Sequence, residues 1–414
     1  VHLLSNNYLT FEQNNNKAAF MAYALTSDKP FDIIIYGATG FTGQLVAEYF
    51  HSYYANSNVK WAIAGRSAEK LAHIKQTLAL PDDLPMLVAD SHDEDALREL
   101  VTQTRVVITT VGPYQLYGDT LVSLCAELGT DYVDLCGEPS WMRQKIDALS
   151  DMAHDSGARI VFSCGFDSIP FDLGVFYLQE HIQHYTAKTL PKVQCRVRAM
   201  NGKFSGGTAA SLQATMKAAA SDPTILGYLK DPFSLANGFT GPEQPAGDQP
   251  YFDDDLQSWV APFIMATINT KNIHRSNALL DHLYGEDFVY DEMILTGPGE
   301  QGEKMANFVA SDNSLAGKDA PKPGEGPNKE ERDNGSYDLM FIAQGNNKRY
   351  VASVSGTEDP GYGSTSKMLA QSAMCLAFDD LATLGGVYTP APAMGEALIE
   401  RLQKHAGLTF SIES

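Results

Sequence analysis

Between Phe31 and Leu45 the chain reads "FDIIIYGATGFTGQL": an apolar, β-branched run, three glycines within seven positions (Gly37, Gly40, Gly43), then an amphipathic stretch. A strand that ends in closely spaced glycines and passes into a helix has few folded solutions. Gly37 can make the tight turn, Gly40 can let an anionic group approach the backbone, and Gly43 permits close packing of helix on strand. Free amides and the positive dipole end at the helix N-terminus would then face that anion. Glycine-rich turns are common, so a plain flexible turn is the competing reading, and context must decide.

That context is a repeated alternation. Short apolar runs, Asp32 to Tyr36, Lys60 to Ala64, Leu84 to Ala89, Val106 to Val111, Tyr132 to Leu135 and Arg159 to Ser163, are separated by helical patterns at Gly43–Tyr53, Ser67–Leu78, Asp93–Thr102, Asp119–Leu128 and Met142–Ser156. Strands buried on both faces and alternating with helices predict an α/β fold, a doubly wound parallel sheet of the Rossmann kind over residues 30–168. Past Pro170 the rhythm changes. Val193 to Met200, Phe288 to Leu295, Tyr337 to Gln344 and Lys348 to Val354 read as strands without crossover helices, the last two joined as a hairpin through Asn346 and Asn347. This predicts a second α+β domain, residues 169–385, on a mostly antiparallel sheet, with Ala209 to Ala220 and Ser366 to Leu384 as helices packed on it. Residues 386–414 carry a C-terminal helix, Met394 to His405, expected to pack back on the first domain. Asp231 to Asp255 and Ser314 to Gly335 read as surface loops, of a length that also suits lids over active sites.

The 414 residues suffice for two domains. A net charge of −21 opposes the phosphate backbone of nucleic acid and the anionic face of a membrane, so neither is expected as a partner. Five cysteines, Cys125, Cys136, Cys164, Cys195 and Cys375, include no C-x-x-C pair and are odd in number, which points to a reducing, cytoplasmic compartment. No stretch reaches the roughly 18 apolar residues of a membrane helix. Residues 1–29 are Asn-rich rather than leader-like and are expected to form a flexible extension.

The end of the second strand bears on the ligand. An NAD site usually places Asp or Glu there for the ribose 2′-hydroxyl. This chain reads "AIAGRSAEK", with Arg66, Ser67 and, one turn later, Lys70. A guanidinium suits a 2′-phosphate, so the expected cofactor is NADP(H), held by Gly37, Ala38, Thr39, Gly40, Phe41, Thr42, Gly43, Arg66, Ser67 and Lys70. The competing reading of Arg66 is a solvated loop residue. Asp90, in "VADS", stands where adenine edges lie, and Gly112 and Pro113, in "TTVGPYQLYG", form a small-residue turn suited to a flat ring, with Tyr114 beside it.

In this order, "YGATGFTG", "AGRS", "VGPY", "YVDLCGE", "CGFDSIPFDLG", "SGGTAAS", "DPGYGSTSKMLAQSA" and "GGVYTPAPAMGEALIERL" resemble the saccharopine dehydrogenase-like oxidoreductases, the group that includes the trans-acting enoyl reductases. The resemblance spans nearly everything from Phe31 onward. It implies NADP dependence, an inserted substrate and dimer domain, a homodimer, cytoplasmic or membrane-peripheral placement and a small or lipid-like substrate. It does not imply saccharopine chemistry, because no array of basic residues for a dicarboxylate is identifiable.

The reading is therefore an oxidoreductase that transfers hydride to an activated C=C, C=O or C=N bond. An amino-acid-type C–N dehydrogenase and a non-catalytic NADP-binding scaffold or redox sensor are the alternatives. Such chemistry needs a proton donor. Tyr114, after the fourth strand, and Asp167 and Ser168, in the turn after the sixth, are the candidates. A packing aromatic and helix caps are the structural alternatives. His274 with Arg275 can bind a carboxylate or thioester carbonyl, or lie on a solvated helix face, and Lys367 stands beside a Gly-rich turn. His181 and His184 lack a third ligand, so no metal is expected. Ser205 to Thr208 lacks the Lys of a P-loop and reads as a tight turn or substrate loop. Cys136 and Cys164 lie at strand ends, where small buried hydrophobes are the ordinary reading.

Overall fold

The computed structural model describes residues 29–202, 206–312, 322, 326–345 and 348–414. The expected N-terminal extension apart from Lys29, Ser205, the hairpin residues Asn346 and Asn347, and much of the stretch after Ser314 lie outside the described residues. Fourteen strands in the described residues form two sheets. In chain order they are β1 (Phe31–Tyr36), β2 (Trp61–Gly65), β3 (Met86–Val88), β4 (Thr104–Thr109), β5 (Asp131–Val133), β6 (Arg159–Val161), β7 (Lys192–Asn201), β8 (Tyr251–Asp253), β9 (Ser258–Pro262), β10 (Val289–Gly297), β11 (Ser336–Gly345), β12 (Lys348–Gly356), β13 (Gly386–Tyr388) and β14 (Leu408–Ile412).

The first sheet has the order β13-β6-β5-β4-β1-β2-β3, and every pair is parallel. β-branched runs such as Ile33–Ile35 and Val106–Ile108 are fully buried at its centre, as a sheet covered on both faces requires. Chain order reverses between β1 and β4, and the crevice beyond those two strand ends is where ligands of such sheets sit. The six expected strands are present, and β13 adds a seventh from far along the chain.

The second sheet has the order β14-β12-β11-β7-β10-β9-β8. It is mixed but mostly antiparallel, β10 with β7 being its one parallel pair. Helices Ile169–Thr186 and Ala266–Leu279 pack on it and on each other.

Two expectations change. The helix Thr365–Phe378, expected on the second sheet, packs instead on β1, β4 and β5 of the first. Its buried residues run almost without a break from Thr365 to Ala377, because it is enclosed on every side. The helix Gly206–Ser221, also expected on the second sheet, reaches the turn after β4 instead, through Ser211 Oγ to Glu138 (2.8 Å) and Gln115 Nε2 to Thr215 (3.2 Å), while the stretch from Asp231 to Asp255 lies largely at the surface as expected and is tied down at a few points. Gln244 bridges Phe288 O (3.0 Å) and Tyr290 N (3.0 Å), Asp253 reaches the buried Arg196 (3.2 Å), and residues 251–253 form an edge strand.

Candidate active site

The cradle forms where β1 ends. Gly37 has φ +90°, a conformation L side chains avoid, and its amide donates to Ala64 O at 3.0 Å, tying the turn to β2. The helix Phe41–Tyr54 follows, with Gly40 as its N-cap, no capping side chain and no acid in the first turn. Its first intrahelical bond is Gln44 N to Gly40 O (3.0 Å), so among the described residues the amides of Phe41, Thr42 and Gly43 have no acceptor. A Cβ on Gly43 would lie 2.2 Å from Gly37 O, so helix and turn are in contact there. Ala38 and Thr39 complete the turn, with Ala38 N on Ala64 O (3.2 Å) and Thr39 O accepting from Gln44 Nε2 (3.1 Å). Unpaired amides at a positive helix end, with backbone open to approach, fit a dinucleotide diphosphate.

Arg66 is exposed just beyond β2, with no carboxylate at that tip. Ser67 caps the next helix by accepting from Lys70 N (3.3 Å), and Lys70 is exposed. Asp90 is a turn residue whose Oδ1 accepts from His92 N (3.0 Å). That bond, the His92 ring and, more weakly, Arg66 hold its carboxyl below the usual range. Gly112 and Pro113 are joined by a cis peptide bond at the end of β4. A Cβ on Gly112 would be in ordinary contact with the Tyr114 ring and the Ser211 hydroxyl.

The three expected proton donors separate. Tyr114 is buried, and its hydroxyl donates to Thr109 O (3.3 Å) and accepts from Leu135 N (3.0 Å). Burial pushes its phenol up. The hydroxyl is thus committed to the backbone of the sheet, not turned to the crevice. Ser168 is also buried, its hydroxyl accepting from Asn272 Nδ2. Asp167 differs: it is half-buried, its carboxyl has no hydrogen bond among the described residues, and burial pushes it up to about 7. It lies within electrostatic reach of Glu292, itself pushed up to about 8 by burial, and of Tyr362. Glu292 accepts from Asn269 Nδ2 and Tyr290 Oη, both 2.8 Å.

Two carboxylates without an expected role frame the site. Glu138 is wholly buried and accepts from Tyr114 N (2.9 Å), Gln115 N (3.0 Å), Gln115 Nε2 (2.9 Å) and Ser211 Oγ (2.8 Å). It fixes the turn after β4 and joins it to the helix Gly206–Ser221. Asp134 accepts from Cys136 N and Ser163 N (both 2.9 Å) and from Tyr132 Oη (2.9 Å), knitting the ends of β5 and β6. Both stand in "YVDLCGE", where an acid directly before Pro139 is the only sequence signal, and it reads as an ordinary helix start.

His274 and Arg275 are buried, not on a solvated face. The His274 ring lies 4.4 Å from that of Phe233, tilted by 43°, and burial pushes it down to about 3. Arg275 donates to Leu235 O (2.7 Å), Asn237 Oδ1 (3.0 Å) and Val387 O (2.5 Å). Lys367 pairs with Glu358. Cys136 and Cys164 are buried free thiols whose pKa burial raises. Among the described residues no group of three His, Cys, Asp or Glu is placed to hold a metal, and no helix is long and apolar enough to cross a membrane.

Comparison with known proteins agrees with the cradle. The family described as saccharopine dehydrogenase NADP binding domain matches residues 33–161, so the cofactor is NADP. The chain is 37% identical to the trans-acting enoyl reductase of Mycobacterium tuberculosis and 36% identical to that of Mycobacterium ulcerans. Each match runs over 407 residues, 91% of this chain and 96% of the relative. Apo saccharopine dehydrogenase (L-Glu forming) from Saccharomyces cerevisiae shares the fold with TM-score 0.51 at 10% identity, over 93% of this chain and all of that one. With an NADP-binding family model over its first sheet and relatives at this identity over nearly its whole length, the chain belongs to the saccharopine dehydrogenase-like oxidoreductases, in the group of the trans-acting enoyl reductases.

Proposed function

We propose that the chain reduces a carbon–carbon double bond conjugated to a carbonyl in a small or lipid-like substrate, with Asp167 as proton donor. Asp167 carries this reading. A carboxyl that burial pushes up to about 7 and that has no hydrogen bond among the described residues is poised to give a proton at neutral pH. The names of the relatives favour an enoyl acceptor over a C=O or C=N bond.

When bound, NADPH supplies the hydride. The residues of the chain do the rest. The unpaired amides after Gly40 would hold the diphosphate, and Arg66 would meet the 2′-phosphate. The turn at Gly112 and Pro113, braced by Glu138, would take the ring. The Asp167 carboxyl would give its proton to the α-carbon of the substrate and be left as carboxylate, which solvent would reprotonate. In this reading residues 30–168 carry the cofactor, and the second sheet supplies the substrate surface and a homodimer contact. The five buried free thiols suit a reducing compartment.

The test follows the fall in NADPH absorbance with a 2-enoyl thioester, a 3-keto thioester, or lysine plus 2-oxoglutarate. The expected result is turnover of the enoyl thioester, lowered about 10²- to 10⁴-fold in Asp167→Asn with NADPH affinity unchanged. Turnover only with lysine and 2-oxoglutarate, or full activity in the variant, would overturn the reading.

A further inference from the structure

Two turns that stand far apart along the first sheet meet in front of it. The order β4-β1-β2-β3 puts two strands between β3 and β4, so three spacings of about 4.8 Å separate them, or about 14 Å. Yet the ring of His92, in the turn after β3, and the ring of Tyr117, in the short helix Tyr114–Tyr117 after β4, have centroids 5.9 Å apart. Both residues follow the carboxyl end of a strand. Their contact therefore bridges the carboxyl ends of β1 and β2, which carry the glycine turn and Arg66.

The bridge is anchored on both sides. The turn after β3 is closed by Asp93 N on Asp90 O (3.1 Å), and Tyr36, the last residue of β1, donates to Ala89 O (3.3 Å) just before it. His92 Nδ1 lies 3.3 Å from Asp90 Oδ1 and 3.2 Å from Ser91 Oγ, which orients the ring. On the far side Tyr117 N donates to Pro113 O (3.2 Å), and the buried Glu138 receives the amides of Tyr114 and Gln115. The two rings cross at 90°. The ring that gives its edge thus keeps both of its faces clear of the other. The side chain of His92 is 70% exposed and Tyr117 is 36% exposed, so open ring surface is held in place at the rim of the crevice.

Beside His92 lies an open hollow of about 680 Å³, lined by Asp90, His92, Asp93, Glu94 and Asp95. A phosphate would be repelled there. A flat, neutral heterocycle with an amino group fits, because the lining offers acceptors. Asp93 already caps the next helix on Ala96 N (3.1 Å), and Glu94 pairs with Arg98 (3.2 Å). Asp90 keeps Oδ2 free of any hydrogen bond among the described residues.

We propose that His92 and Tyr117 form the wall on which the adenine of the dinucleotide stacks, with Asp90 Oδ2 accepting from its exocyclic amine. The inference rests on the cofactor reading and adds two rings that the glycine fingerprint does not contain. Base–aromatic stacking supplies affinity for the adenine half, while Arg66 reads the 2′-phosphate.

The experiment titrates the full chain with NADPH, with the same dinucleotide carrying hypoxanthine in place of adenine, and with adenosine 2′,5′-bisphosphate, which holds the adenine half alone. Wild type is compared with Tyr117→Leu, Tyr117→Phe, His92→Ala and Asp90→Ala, and the melting temperature of each is recorded. Tyr117→Leu should weaken NADPH and the bisphosphate by the same factor, about five- to 150-fold, and His92→Ala should weaken the same two ligands. Tyr117→Phe, which keeps the ring, should bind both as wild type does. Wild type should bind the hypoxanthine analogue several-fold more weakly than NADPH, and Asp90→Ala should erase that preference. Unchanged bisphosphate affinity in Tyr117→Leu and His92→Ala, or a loss in Tyr117→Phe equal to that in Tyr117→Leu, would overturn the proposal. So would variants that melt lower yet bind as wild type, because the bridge would then serve the fold alone. Equal binding of adenine and hypoxanthine by wild type would refute the part given to Asp90. If wild type binds neither NADPH nor the bisphosphate, the cofactor reading itself falls, which is a different result.

Discussion

Replacing Glu138 by Gln changes one atom in a site closed to water, and the four bonds it receives set the outcome. The amide accepts through one oxygen only. If that oxygen faces Tyr114 N and Ser211 Oγ, its NH₂ faces the two donors of Gln115. The Gln115 side chain can turn its own oxygen round, but its backbone N–H cannot. In the other orientation Ser211 can become an acceptor, and Tyr114 N–H is stranded. Either way one backbone donor is left buried and unpaired, at about 1–3 kcal/mol. The three remaining bonds lose an ionic acceptor, at about 1 kcal/mol each. A neutral amide is easier to bury than a carboxylate, which offsets part of this. A net loss of about 2–4 kcal/mol follows, or roughly 4–16 °C in melting temperature for a domain of this size. Thermal unfolding by circular dichroism measures it, with and without NADPH. A Gln variant that melts with wild type would refute the reasoning, because the four contacts would then not depend on a carboxylate.

Gly43→Ala should be harsher at the cofactor than in the fold. Its Cβ would meet Gly37 O at 2.2 Å and Ala38 Cα at 2.9 Å, all backbone, so the helix end must move. About 1–3 kcal/mol of stability should be lost, and NADPH affinity should drop more than tenfold, by denaturant titration and fluorescence binding respectively. The pH dependence follows from buried acids: burial raises Asp134, Asp167 and Asp172 to about 7 and Glu292 to about 8. Their folded values exceed the unfolded ones, so the folded state holds more protons between about pH 4 and pH 7. Their stabilising contribution is complete below about pH 4 and is lost as pH rises through 7 to 8. The melting temperature should therefore climb from pH 8 to pH 6, and Asp172→Asn, which cannot titrate, should flatten that slope. A slope of the opposite sign would show that these acids are charged in the folded chain.

What was legible in the sequence was what has a period or a fixed spacing. β1 was expected at Asp32 to Tyr36 and lies at Phe31–Tyr36, and β7, β10, β11 and β12 fall within two residues of expectation. The glycine turn was legible because it combines a strand, a spacing and a helix. Helix Ala266–Leu279 was not, because burial there is achieved by Asn269, Asn272, His274 and Arg275, polar residues of which three bond to Glu292, Ser168 and Leu235, all distant in sequence. Helix Ile169–Thr186 is apolar on most sides and so shows no stripe. β13 and β14 are too short to carry a pattern, and only their partners define them. The same holds in the site. Tyr114 follows the right strand, but the direction of its side chain is set by Leu135 and Thr109, which no local spacing encodes.

The interleaving of the two sheets has a consequence for synthesis. The strands β1 to β6 are complete by residue 161, yet the helix that covers β1, β4 and β5 begins at Thr365 and the seventh strand at Gly386. The ribosome must add roughly 200 residues between the sheet and its cover, which at about 5–20 residues per second takes on the order of 10–40 s. During that interval a wide apolar face is exposed on a chain that cannot yet close it. The second sheet waits longer still, since its edge strand β14 ends at Ile412. Neither half can close before the other has emerged, so the two sheets are completed together and only once β14 is available.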